Sequence, residues 1–383
     1  MTKLAPAAFD QLLAGKRLAV VSGTNGKTTT THLLAAAVRA GLGDGAAGRV
    51  VSNADGGNLR QGIVSALAKA RRADSAVLEC DERVVPELLR HRIEVLTLLN
   101  FSRDQLDRNH EIKFLARAWR QALEGAGDSG PTVVANAADP LIVWSAQTAH
   151  RLVWVDAATL WRGDTALCPA CGGLLTQTTG DDGCLMWDCP DCPARQPKAA
   201  YGVVGQRLRL PDGRLVDPEL KVPGLFNLAN AACALAAAIE FGVPAAVALA
   251  GMATVVAPAG RFAEARFGDA VARLMLAKNP AGWAEMLPLA GADRPLVLAI
   301  DSALADGQDV SWLWDVDFER LAGRRVTCAG PRAQDLAVRL GYAGVEHDIV
   351  VDVRQAVAAF AGPVDVMSTY TPFQDLLLKA GLR

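Results

Sequence analysis

The sequence carries no excess of positive charge: 39 Lys and Arg stand against 41 Asp and Glu, a formal net charge of -2. That balance excludes a broad nucleic-acid footprint and a basic belt for anionic lipid. No apolar run approaches the roughly 18–20 residues that cross a bilayer. The Ala-rich stretch at 229–239 is too short and reads as a buried helix. Residues 1–11 contain one cation, Lys3, and no long apolar segment, so no signal peptide is expected. Histidine is scarce. His32, His91, His110, His150 and His347 are the five, and none stands in a glutaminase motif. There is no internal repeat and no low-complexity tail. These absences leave a cytoplasmic globular protein, 51% apolar and 383 residues long, enough for two or three domains.

Residues 17–22 (RLAVVS) are an apolar run of strand length, followed by a Gly-rich turn and a helical stretch over 27–40. Further β-like runs lie at 75–79, 95–99 and 132–135, with helical segments at 84–91 and 113–123 between them. Such alternation predicts a parallel sheet covered by helices. Residues 160–199, rich in Cys, Gly, Pro, Thr and Asp, break the rhythm and read as an inserted module. The α/β pattern resumes at Pro223-Gly224 with a helix over 227–241, and 255–261 form a Pro/Gly-bearing connector. Apolar runs at 273–277, 296–300, 325–329 and 364–368 predict the strands of a second α/β domain. The expected division is a first α/β domain, 1–258, carrying the insert, and a smaller α/β domain, 259–383.

Ser22-Gly23-Thr24-Asn25-Gly26-Lys27-Thr28-Thr29 sits where a strand enters a helix. Unpaired backbone N–H groups and the positive end of the helix dipole meet there, so an anion is favoured. Gly23 and Gly26 permit close backbone approach to phosphate. Lys27 would neutralise the transferring phosphoryl group, and the Thr28 hydroxyl would hold Mg²⁺. Glu79 closes an apolar strand, at the carboxyl end where open α/β sheets bind ligands. In the insert, Cys168-x-x-Cys171 and Cys189-x-x-Cys192, each turned by Gly or Pro, can aim four thiolates at one point. This pattern predicts a zinc ribbon: a closed, structural Zn²⁺ site of four cysteines, whose metal supplies folding energy that a small module lacks.

The loop is not the full G-x-x-x-x-G-K form, because Val21 stands where the pattern starts; G-T-N-G-K-T-T resembles the Mur ligases and folylpolyglutamate synthases. That resemblance implies ATP-driven formation of an acyl phosphate, which an amine then attacks. It implies nucleotide binding by Gly23, Thr24, Asn25, Gly26, Lys27, Thr28 and Thr29, catalysis by Lys27, and Mg²⁺ at Thr28 and Glu79. Asn136-Ala-Ala-Asp139-Pro140, Gly224-Leu-Phe-Asn227-Leu-Ala-Asn230 (Asn227 near adenine) and Gly260-Arg261-Phe-Ala-Glu264 (Arg261 at a hinge) follow the family's order. Asn100-Phe-Ser-Arg103-Asp104-Gln105-Leu106-Asp107-Arg108 has Gln105 where most Mur ligases have His. No Lys stands near residue 120, where many of them carry a carbamylated lysine; a second Mg²⁺ site is therefore not expected.

Several segments resemble the MurT branch of this family: the R-D-Q-L-D-R form, Asn53 to Ile63, the inserted cysteine module, Lys278-Asn279-Pro280-Ala281-Gly282, Ala305 to Glu319 with its aspartates and paired Trp, Gly330-Pro331-Arg332 with Asp335, Arg339 and Tyr342, and Thr369-Tyr370-Thr371. Ile300-Asp301-Ser302-Ala303 departs from the branch's I-N-D-N. Membership implies a heterodimer with a GatD-type class I glutamine amidotransferase, to whose glutaminase site this chain lends one catalytic aspartate. Asp306 and Asp309 rank ahead of Asp315. The implied reaction is amidation of the α-carboxyl of D-glutamate in the lipid II stem peptide to D-isoglutamine, at the inner face of the membrane and touching the membrane only through substrate. The short segment before the first strand leaves no room for a UDP-binding domain and suits a lipid-linked substrate. Two alternatives stay open: a conventional amino acid ligase, and a non-catalytic ATP-binding assembly subunit.

Overall fold

The computed structural model describes residues 7–43, 48–54, 57–103, 112–157, 163–179, 185–222, 224–256, 262–303 and 306–382. They form two units, one from the described parts of 1–102 and 111–256, the other from Arg103 and the described parts of 257–383. Residues 104–108 and Arg261, both named above, lie outside the described residues.

In the first unit, β1 (Arg17–Ser22) is buried on both faces after its first residue, as are β3 (Ser75–Glu79) and β4 (Val95–Leu98). Such continuous apolar strands belong inside a parallel sheet with both faces covered. Side chains alternate between two cores: Ala19 and Val21 pack with helices Lys27–Leu42 and Leu225–Glu240, whereas Leu18 and Val20 pack with helices Arg60–Lys69 and Ile112–Ala126. The Ala run of the helix Leu225–Glu240 is wholly buried.

With β2 (Val50–Ser52), β5 (Thr132–Asn136), β6 (Arg151–Asp156), β9 (Tyr201–Val204), β10 (Arg207–Arg209) and β11 (Leu215–Val216), these make one sheet, ordered β11-β10-β9-β6-β5-β4-β1-β3-β2. Strands β1 to β6 and β9 run parallel; β10 and β11 add an antiparallel edge. That edge was not expected: both strands are short, and Arg-rich rather than apolar in β10. The chain goes from β1 to one side and returns to β4 on the other, a switch point that opens a crevice above the phosphate loop. Between β6 and β9 lies the insert, a hairpin of β7 (Thr176–Thr179) and β8 (Leu185–Asp188). Of the helix expected at 84–91, only Val85–Leu88 is regular.

In the second unit, β13 (Ala270–Leu276), β14 (Leu296–Ala299), β15 (Arg325–Ala329) and β17 (Gly362–Ser368) match the four expected strands. Two edge strands, β12 (Phe262–Phe267) and β16 (Glu346–Ile349), complete the order β12-β13-β17-β14-β15-β16. All pairs are parallel except β12 with β13. Inside this sheet Asp365, fully buried, accepts two bonds from Arg273 at 3.0 and 2.8 Å and one from the Gly291 N–H at 2.8 Å. No helix among the described residues is long and apolar enough to cross a membrane.

Candidate functional site

The turn between β1 and the helix Lys27–Leu42 is fixed by the segment that follows β4. The Thr24 N–H donates to the Asn100 carbonyl at 2.8 Å, and the Asn25 N–H to Asn100 Oδ1 at 2.9 Å. Asn100 Nδ2 returns a bond to the Asn25 carbonyl at 3.0 Å, and Asn25 Nδ2 donates to Ser102 Oγ at 3.0 Å. The two glycines are needed for space and conformation. Gly23 (φ 138°) presses on Asn100, and Gly26 (φ 84°) on Asn230, where an added Cβ would fall 2.3 Å from Oδ1. Gly26 caps the helix without a side-chain bond, so the first-turn N–H groups are presented to the crevice rather than to a capping side chain.

Lys27 is 8% exposed. Its ammonium donates to the carbonyls of Gly23 and Thr24 and lies 3.4 Å from Glu82 Oε2. The Thr28 hydroxyl donates to Glu79 Oε2 at 2.9 Å, and Asn58 Nδ2 donates to Glu79 Oε1 at 3.1 Å. Asn53 clamps the Glu79 backbone, accepting its N–H at 2.7 Å and donating to its carbonyl at 2.8 Å. One half-buried hydroxyl and one buried carboxylate, adjacent, are the donor set that a Mg²⁺ sharing phosphate oxygens and waters takes from a protein. Asn227 is buried at the start of the helix Leu225–Glu240 and accepts from Asn230 Nδ2 at 3.3 Å. It is joined to the loop through the residue that touches Gly26. Thr24, Asn25 and Thr29 are buried alongside.

Asp139 supports this arrangement from behind. It caps the helix Pro140–Ala146 through the Leu141 and Ile142 N–H groups and accepts the Phe101 N–H at 2.8 Å. Burial pushes its carboxyl from 3.8 to about 6, against the pull of those three donors. The roles of Glu82, Asn53 and Asn58 were not read from the sequence. An Asn-rich loop preceding a buried Glu is a signal, but nothing in it names the partner.

In the insert, the Sγ atoms of Cys168, Cys171, Cys189 and Cys192 all lie within 4.8 Å of one another, with 3.6 Å between Cys168 and Cys192 and 3.5 Å between Cys171 and Cys189. Disulfides are excluded at these lengths. A tetrahedral Zn²⁺ with bonds of about 2.3 Å spaces its thiolates by about 3.8 Å, so the four residues fit that ion. Burial opposes a Cys168 thiolate, but the N–H groups of Cys171 and Ala170 and the Cys192 thiol outweigh it and bring it to about 7. The hairpin is anchored on the sheet by Trp187, buried, whose indole N–H donates to the Ala137 carbonyl at 3.1 Å.

In the second unit the three candidate aspartates differ sharply. Asp306 is buried, and its Oδ1 accepts the Thr371 N–H at 2.8 Å, capping the helix Tyr370–Lys379. Asp309 is exposed and accepts from the N–H and hydroxyl of Ser311 at 2.8 and 2.9 Å. Asp315 is exposed and pairs with Arg103 at 3.2 Å. The short 3-10 helix Ser311–Asp315 between them is locked by Arg339, a buried cation that donates to the carbonyls of Leu313 and Val316 and to Glu319.

Two family models match the chain, the Mur ligase middle domain over residues 21–159 and the MurT ligase C-terminal domain over 276–373. Among solved structures, a pseudomurein peptide ligase type C from Methanothermus fervidus superposes with a TM-score of 0.70 at 17% identity, covering 96% of this chain and 79% of that one. Fold and phosphate loop agree with the first of these models, and together they resemble the ATP-dependent ligases of the Mur ligase family. The second model and the curated relatives are of the MurT type. The chain is 28% identical to the Staphylococcus aureus (strain COL) protein named lipid II isoglutaminyl synthase (glutamine-hydrolyzing) subunit MurT, over 93% of this chain and 85% of the relative. Its identity to the Streptococcus pneumoniae protein of the same name is also 28%, over 90% and 81%.

Proposed function

We propose that this chain is the ATP-using subunit of a glutamine-dependent amidating ligase of peptidoglycan synthesis. Its substrate is the α-carboxyl of D-glutamate in the lipid II stem peptide, converted to D-isoglutamine. The observation that carries this reading is the MurT-type C-terminal match over 276–373 in a chain whose phosphate loop keeps Lys27, Thr28 and Glu79 together. ATP with Mg²⁺ supplies the phosphoryl group that turns the carboxylate into an acyl phosphate, and ammonia displaces that phosphate. The loop N–H groups and Lys27 bind and neutralise the phosphates, Thr28 and Glu79 hold the metal, and Asn227 faces the base. Zn²⁺ in the four-cysteine site is structural.

Ammonia comes from a GatD-type glutaminase subunit that lacks its own orienting acid. Asp309 is the residue offered to it. It is exposed and its carboxylate has spare acceptor capacity, whereas Asp306 is buried under a helix cap and Asp315 is neutralised by Arg103. As the third member of a triad it would orient the partner's His and stabilise its imidazolium.

The activation step is tested with lipid II labelled with ¹⁸O in the α-carboxyl of D-glutamate. An acyl phosphate requires one labelled oxygen to leave in inorganic phosphate for each amide formed. Unlabelled phosphate would refute it, and a product extended by an amino acid would favour the conventional ligase.

A further inference from the structure

A cavity of about 50 Å³ in the second unit is lined by Lys278, Asp306, Asp309, Trp312 and Asp315 among others, room for no more than a few water-sized molecules. It holds a buried acid with an unanswered oxygen. Asp306 is 7% exposed; Oδ1 is bonded to the Thr371 N–H, while Oδ2 is buried with no hydrogen-bond partner among the described residues. A bare buried carboxylate oxygen is costly, so the site calls for a donor that carries charge.

Among the described residues, no cation supplies it. Arg103 is paired with Asp315 at 3.2 Å, and Lys278 has a partner of its own. Among the described residues, Asp306 and Asp309 form no ion pair. A divalent ion would keep several waters of its own, for which a cavity of this size has no room. Water would satisfy Oδ2 but leave the charge. A monovalent cation of water size that donates to carboxylates and tolerates an indole wall meets every condition.

We propose that this cavity binds an ammonium ion, held by Asp306 Oδ2 and Asp309 against the indole of Trp312. The proposal rests on the reading above, in which ammonia is the nucleophile. Asp309, the residue offered to the glutaminase, borders the same cavity, so nitrogen released there meets a holding site before it is consumed.

Asp306→Asn separates this role from the fold, because the amide oxygen still accepts the Thr371 N–H while the charged oxygen is lost. Rubidium ion is the probe. Crystals of the chain grown in rubidium chloride should show an anomalous peak bonded to Asp306, displaced by ammonium chloride and absent from the variant. With ammonium chloride as nitrogen source, the variant's KM for ammonium should rise roughly ten- to a hundredfold, with the KM for ATP unchanged. A wild-type cavity without rubidium, or a variant that binds it equally, overturns the proposal. If the wild type amidates nothing, the functional reading fails instead, and the rubidium result still decides the cavity.

Discussion

Lys27 and Glu82 form a buried pair, side chains 11% and 10% exposed, beside the phosphate loop. Removing the lysine alone would strand a buried carboxylate at a cost of several kcal/mol, so the informative variant is Lys27→Ala combined with Glu82→Gln. It should keep the wild-type melting temperature within a few degrees and lose acceptor-dependent ATP turnover by about 10²–10³-fold, the usual loss for one donor to a transferring group. Comparable turnover would show that the phosphate site is misplaced. Asp139 makes a different prediction. Its folded carboxyl sits at about 6 against 3.8, so the folded state holds a proton that the unfolded chain has already given up between those values. The stability this group contributes is full below about pH 4 and lost as pH rises through 6. Against Asp139→Asn, the wild type should lose up to about 3 kcal/mol of relative stability between pH 4 and pH 7, measured by urea unfolding at both. A difference that is flat or rises with pH would contradict this.

The ribbon between β6 and β9 is a two-stranded hairpin, too small to hold itself by core burial. Protein purified without added metal should contain one Zn²⁺ per chain by elemental analysis. Chelation should release amide protection in β7 and β8 while β1, β3 and β4 stay protected. A metal-free ribbon with full protection would sink the assignment. Elements of this kind were readable in advance where chemistry or periodicity is dense: paired C-x-x-C, the Gly-Lys-Thr junction, and β1, β3 and β15, whose apolar runs coincide with the observed bounds. Elements stabilised from outside were not readable. Strands β11, β12 and β16 are sheet edges and β10 lies next to one; they are short or carry charged residues, and they exist because a neighbouring strand offers hydrogen bonds. The site follows the same division. Cysteines and loop residues announce themselves, but that Asn100 staples the loop, that Glu82 receives Lys27, and that Asp309 is exposed while Asp306 is buried depend on contacts far apart in the chain.

At the scale of the whole molecule, the proposed function has two separate chemistries: activation of a carboxylate at the phosphate loop, and release of ammonia in a partner completed by one aspartate of the second unit. Alone, the chain should hydrolyse no glutamine, since a glutaminase needs a nucleophilic Cys with a nearby His base, and four of its cysteines converge on one another instead. The most direct measurement is the source of the nitrogen in the product. The chain and its glutaminase subunit are given ATP, lipid II and either amide-¹⁵N glutamine or ¹⁵N ammonium, and D-isoglutamine is followed by mass spectrometry. The wild-type complex should incorporate label from both. With Asp309→Asn, label from glutamine should fall by at least about 10³-fold, in line with loss of a triad acid, while label from ammonium persists at saturating ammonium. An Asp309→Asn complex that still draws nitrogen from glutamine at the wild-type rate would contradict the account, and so would a wild-type complex that takes nitrogen from neither source.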